Sequence, residues 1–188
     1  MGMIRLFIAA ELPGAVRDVV GVSQIRLQHL DKRVRWVNPN GAHLTLKFLG
    51  DVEEHLAVDV VSRVRKAVCQ ESPVILQPGP FGAFPGPEQA RVIWLGIEGQ
   101  VEGLTRIYNV LESALVPMGF PKERRRFSPH VTVGRARRKP ISVFLEQVAP
   151  IGAVHFKVDR VVVMSSDLGP GGADYRPLGY GMLAEATN

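Results

Sequence analysis

Little in this chain could be cross-linked, could hold a metal through sulfur, or could lie in a bilayer. One cysteine, Cys69, stands among 188 residues, which excludes an intrachain disulfide framework and any cysteine-based zinc site. No stretch approaches the roughly 18 uninterrupted apolar residues that a membrane-spanning helix needs. The short apolar run after Arg5 ends at Glu11, too soon for a signal-peptide core with its cleavage site, and Leu6 spoils a myristoylation signal. A cytoplasmic protein without membrane contact is therefore expected.

What the chain does have is core-forming material and a focused positive charge. At 46% hydrophobic and 22% charged residues, it suits one soluble globular domain with a sizeable core. The net charge is +5, but the segment Lys122–Lys139 alone carries +7 and the remainder −2. Arginine outnumbers lysine 17 to 6. Guanidinium forks match phosphate oxygens, so a clustered arginine patch points to a polyanionic partner.

Hydrophobic periodicity predicts two similar series of elements. The first runs strand (Arg5–Ala10), helix (Val16, Val19, Val20, Leu27 and Leu30 on one side), a short extended piece (Val34–Val37), the turn Asn38–Gly41, and a strand (His43–Leu49). A helix over Glu53–Val68 follows, then an extended Val74–Leu76 opening a Pro/Gly-rich loop, Pro78–Pro87. The second runs strand (Arg91–Ile97), helix (Val101–Leu115), basic loop, strand (His130–Val133), short helix (Ile141–Val148) and strand (Val154–Met164). The turn Gly169–Gly172 and a weak strand over Tyr175–Leu183 close the chain. The leading strand and the histidine strand are separated by 38 residues in one series and 39 in the other, the trace of an internal duplication. A single unit spanning 1–188 is expected, with repeats of about 3–78 and 90–164 and a C-terminal hairpin of about 165–184. Such alternation also suits a parallel doubly wound sheet, but Ala9-Ala10-Glu11-Leu12-Pro13 lacks the glycines of a phosphate loop. The expected class is α+β, with two lobes of mainly antiparallel sheet.

His43-Leu44-Thr45-Leu46 returns as His130-Val131-Thr132-Val133. Five histidines and four threonines in the whole chain make two such coincidences, at matching places in two series, a poor product of chance. In a strand, residues i and i+2 share a face, so each histidine projects beside its threonine while the apolar residues turn to a core. Two such strands on one cleft would offer two imidazoles for proton transfer and two hydroxyls for phosphate oxygens. Catalytic zinc wants three protein ligands. Here the i+2 partner is threonine, and no carboxylate stands within three residues of either histidine.

These paired motifs resemble the 2H phosphoesterases. The flanks Arg5-Leu6-Phe7-Ile8-Ala9, Trp36-Val37, Lys47-Phe48-Leu49-Gly50 and Phe127-Ser128-Pro129 through Gly134-Arg135 resemble the prokaryotic RNA 2′,3′-cyclic phosphodiesterase group, also called 2′-5′ RNA ligases. The resemblance implies a bilobal fold with a cleft between pseudo-symmetric lobes. It implies opening of RNA 2′,3′-cyclic phosphate ends to 2′-phosphates with no cofactor and no metal. It further implies His43 as proton donor, His130 as proton acceptor, and Thr45, Thr132 and Arg135 on the phosphate. Strict alternation sets Arg135 on the face opposite His130 unless Gly134 supplies a bulge. Phe7, Trp36, Phe48, Phe127 and Tyr175 are candidate base-stacking platforms. The expected partner is RNA with a cyclic phosphate end, tRNA fragments among the candidates, bound by a monomer. Two alternatives stay open: a phosphodiesterase for small cyclic nucleotides or ADP-ribose-type cyclic phosphates, and a non-catalytic RNA-binding module.

Overall fold

The computed structural model describes residues 2–29, 31–145, 154–169 and 172–184. Among the described residues, nine strands form one antiparallel sheet: β1 (Met3–Glu11), β2 (Val34–Trp36), β3 (His43–Glu53), β4 (Val74–Phe84), β5 (Val92–Gly99), β6 (His130–Ala136), β7 (Phe156–Val158), β8 (Arg160–Gly169) and β9 (Gly172–Met182). The α-helices among the described residues, α1 (Gly14–Leu27), α2 (Ala57–Val68) and α3 (Val101–Leu115), complete the α+β architecture.

The strand order β7-β4-β5-β6-β3-β1-β8-β9 puts four strands on each side of its centre, and β2 pairs with β6 off this path. At the centre β3 and β6 meet through one residue pair, Leu44 opposite Val131. Two half-sheets thus join at a narrow seam, and each histidine strand lies on it. The half-sheets do not coincide with the two sequence series: β8 leaves the second series to pair with β1. The C-terminal hairpin is accordingly longer than the expected 165–184, running from Arg160 to Met182.

The helices bury one apolar stripe each, as their spacing predicts. Val60, Val64 and Val68 of α2 and Leu104, Ile107, Leu111 and Leu115 of α3 are buried with Ile8, Leu44, Leu95, Val131 and Val163 in the main core. A second, smaller cluster gathers Phe7, Ala9, Val162 and Met164, with Tyr175 and Tyr180 against it. Residues alternate along β1 between these clusters, so β1 is apolar on both faces.

Two sequence expectations need correction. The Pro/Gly-rich stretch from Pro78 is not a loop: it continues β4 to Phe84, paired with β5 across an irregularity between Pro78 and Phe81. The prolines are tolerated because β7 reaches only Val74–Leu76 of β4, and proline is accommodated at sheet edges and bulges. The short helix expected over Ile141–Val148 does not begin at Ile141, which bridges Ala90 instead. Positions 142–144 are irregular, and 146–148 lie outside the described residues, as do Leu30 and the Pro170-Gly171 centre of the expected turn.

Candidate active site

The seam places the two motifs side by side. Because Leu44 faces Val131 in an antiparallel pair, His43 stands next to Thr132 and Thr45 next to His130, all four on the face opposite the Leu44–Val131 core. Leu44 and Val131 are fully buried, while the four motif residues are half-buried. One cluster on one surface therefore holds both imidazoles and both hydroxyls.

Each ring is held the same way. His43 Nδ1 lies 2.8 Å from the Gly41 carbonyl oxygen, and His130 Nδ1 lies 2.7 Å from that of Ser128. A carbonyl only accepts, so Nδ1 carries the proton in both rings and Nε2 remains for proton transfer. The Gly41 carbonyl is fixed by the turn before it, where Asn38 Oδ1 accepts from the Asn40 amide at 3.0 Å. Aromatic rings wall each imidazole. Phe7 and Tyr175 stand 4.7 and 4.9 Å from His43 between ring centres, and Phe84 and Trp94 stand 5.0 and 5.9 Å from His130. The Trp94 indole fits against β4 only because position 82 is glycine; a Cβ there would collide with the ring.

Bulges decide what else faces the cluster. Between the pairs Trp94–Thr132 and Ile93–Gly134, β6 advances two residues for one of β5, leaving Val133 as the extra residue. Beyond it Val92 pairs with Arg135, so Arg135 shares the face of Trp94 and Thr132. The alternation objection is thereby resolved at the position next to Gly134, where a Cβ would strike Trp36 and Val34. A matching bulge at Leu46 separates the pairs Ala9–Thr45 and Ile8–Lys47, and it brings Phe48 beside Phe7 on the cluster face.

Burial pushes both imidazoles below their ordinary value, because a desolvated ring resists charging. The carbonyl bond at Nδ1 opposes this shift in each ring, and the positive charge of Arg135 adds to it in both. Arg135 thus bears on both histidines, in keeping with the face that the β5–β6 register gives it.

Of the aromatic candidates, Phe48 is 62% exposed beside the cluster. Phe127 instead stacks flat on Tyr108 of α3, with ring centres 4.3 Å apart and planes 8° apart. Trp36 packs against the main core. Phe84 and Trp94 escaped the sequence reading: one lay in the supposed loop, the other in a strand with no motif to mark it. Among the described residues, no three metal-ligating side chains gather, and no helix is long and apolar enough to cross a membrane.

A seam carrying two His-x-Thr strands between two half-sheets defines a 2H phosphoesterase fold. The family model for the 2′-5′ RNA ligase superfamily matches residues 13–170, and the chain belongs to that superfamily. A protein of Methanothermobacter thermautotrophicus named RNA 2′,3′-cyclic phosphodiesterase is 32% identical over 176 residues, covering 92% of this chain and 95% of its own. The Escherichia coli protein of the same name is 30% identical over 143 residues, covering 74% and 76%. Among solved structures, TT0787 of Thermus thermophilus superposes with a TM-score of 0.84 at 25% identity, covering 98% of this chain and all of that one. The Escherichia coli LigT complex with 3′-AMP superposes with 0.81 at 25% identity, with the same coverage of both chains.

Proposed function

We propose that this chain hydrolyses 2′,3′-cyclic phosphates at RNA ends to 2′-phosphates, by acid–base catalysis between His43 and His130. The observation that carries it is the arrangement on the seam: two imidazoles with Nδ1–H committed to carbonyls, flanked by two threonines and one arginine. The name that the relatives carry, RNA 2′,3′-cyclic phosphodiesterase, supports the same substrate.

In this reading His130 Nε2 takes a proton from water as the water oxygen bonds to phosphorus. The bond from phosphorus to the 3′-oxygen breaks, and His43 Nε2–H protonates that oxygen. Negative charge grows on the non-bridging oxygens, where Thr45, Thr132 and Arg135 donate hydrogen bonds. With the 5′-hydroxyl of a second RNA end in place of water, the same two transfers join RNA ends through a 2′-5′ linkage as the 3′-oxygen leaves. Exposed Phe48 offers a stacking surface for the terminal base; Phe127, committed to Tyr108, gains no such support. The strand order, with four strands on each side of its centre, supports one internally duplicated unit. The reading includes a monomer acting in the cytoplasm on ends such as those of tRNA fragments, and the free, exposed Cys69 suits a reducing compartment.

The test is incubation in EDTA with a short RNA bearing a 2′,3′-cyclic phosphate and, separately, with cyclic mononucleotides. A 2′-phosphate end on the RNA is the expected product. An untouched RNA end would reject the reading, and loss of activity in EDTA would restore a metal mechanism.

A further inference from the structure

The seam leaves one pair of charges outside its chemistry. Lys47 on β3 and Glu112 on α3 are 2% and 4% exposed, with Lys47 Nζ 2.6 Å from Glu112 Oε1. Buried charges are rare and need full pairing, and here the remaining hydrogen-bonding capacity goes to one loop. Lys47 Nζ donates to the Pro121 carbonyl at 2.9 Å, and Glu112 Oε2 accepts from the Glu123 amide at 2.7 Å. The next three residues are Arg124, Arg125 and Arg126, all exposed.

We propose that Lys47 and Glu112 are positioning residues that clamp the base of the arginine loop, fixing it where upstream phosphates of an RNA strand pass; this rests on the RNA reading above. The bulge at Leu46 turns Lys47 away from Thr45 and towards α3, so one strand carries the motif on one face and the clamp on the other. His130 has separate anchors. Ile97 N–H donates to the Pro129 carbonyl at 3.3 Å, Phe127 stacks on Tyr108, and β5 pairs along β6. Loosening the clamp should therefore free the loop and spare the chemistry.

The decisive variant is Lys47→Met combined with Glu112→Leu, which removes both charges and leaves no unpaired partner behind. The expected result is a folded protein in which trypsin cuts after Arg124–Arg126 about tenfold faster, read from fragment masses. KM for an oligonucleotide with a cyclic phosphate end should rise about fivefold with a flatter salt dependence, while turnover of a cyclic mononucleotide stays within about twofold. A folded double variant with unchanged cleavage and unchanged oligonucleotide KM would overturn the proposal and leave a purely structural ion pair. Should the double variant not fold, Glu112→Gln cuts one arm alone. It should still accelerate cleavage in the loop, and an unchanged rate overturns the clamp. If the wild-type enzyme leaves RNA cyclic ends untouched, the phosphodiesterase reading fails, and the trypsin comparison still decides the clamp.

Discussion

In the half-sheet around β3, His43 leans on Phe7 and Tyr175; in the half-sheet around β6, His130 leans on Phe84 and Trp94. Both rings give Nδ1–H to a carbonyl two residues upstream, and a bulge follows each motif at the same offset. Five residues after the histidine the halves part: Phe48 in one, Arg135 in the other. The loops before the motifs differ as well, a short turn ahead of His43 and three exposed arginines ahead of His130. Ring tautomer, aromatic wall and face are thus common to both halves, because they come from backbone pattern. Charge and stacking are not. On the proposed reading, such a scaffold would supply two proton carriers, and the unmatched residues would give the substrate a direction.

Removing either imidazole should have the largest effect. His43→Ala and His130→Ala should each lower kcat by about 10²–10⁴ without unfolding the protein, as judged by circular dichroism. The pH dependence separates their roles. Burial first, and Arg135 in addition, hold both rings below the usual imidazole value, so the wild-type bell in kcat/KM should peak on the acid side of about pH 6.5. Its acid limb reports protonation of the base, and its alkaline limb reports loss of the acid's proton. Residual activity should lack the alkaline limb in His43→Ala and the acid limb in His130→Ala. The reverse pattern would exchange donor and acceptor.

Arg135→Gln tests whether the asymmetry matters to the chemistry. Charge-assisted hydrogen bonds to a developing oxyanion are worth about 2–3 kcal/mol, so kcat/KM should fall about 10²-fold for oligonucleotide and mononucleotide alike. The sign of the accompanying pH shift follows from electrostatics. Losing a cation that disfavours imidazolium lets both rings protonate more readily, so both limbs should move to higher pH. A bell that stays in place would mean that Arg135 acts too far from the rings to share their phosphate.

What was legible in the sequence, and what was not, divides along the same line. The motifs, helices and most strands follow from alternation and helical spacing, which depend on side chains that the sequence displays directly. The bulges do not. Leu46 looks like any inward residue of β3, yet it reverses the faces of Lys47 and Phe48; only at Gly134 did a glycine hint at the break. The extension of β4 was hidden by Pro78 and Pro80, whose effect depends on an edge that only the sheet topology reveals. Phe84 and Trp94 reach His130 through that same strand, and Glu112 reads as an ordinary helix residue until Lys47 stands opposite it.

On the other half, the unmatched residue is Phe48. Base stacking on an aromatic ring is worth about 1–3 kcal/mol by alanine substitution, and Phe48 is exposed on only one half. Phe48→Ala should raise KM about tenfold for both kinds of substrate while leaving kcat and the pH bell in place. Steady-state kinetics across pH would show this, and a fall in kcat at unchanged KM would make Phe48 part of the support for His43 instead.

The smallest expected effect lies in the arginine loop, where the two halves differ most in sequence. Arg124, Arg125 and Arg126 are exposed and sit between two fixed points, the Lys47–Glu112 pair and Phe127 on Tyr108. On the proposed reading they would guide a strand without touching the scissile phosphate. Each phosphate they neutralise releases counterions, with a log–log salt slope of about −0.7 per contact on single strands. Replacing all three by Gln should raise the oligonucleotide KM a few-fold at low salt and flatten its slope by about 1–2 units. A cyclic mononucleotide has no upstream phosphates, so its kinetics should be almost unchanged at every salt concentration. Equal losses on both substrates would make the loop part of the reacting site. No loss on either would make it a solvated face, and the difference between the halves would then reduce to Phe48 and Arg135.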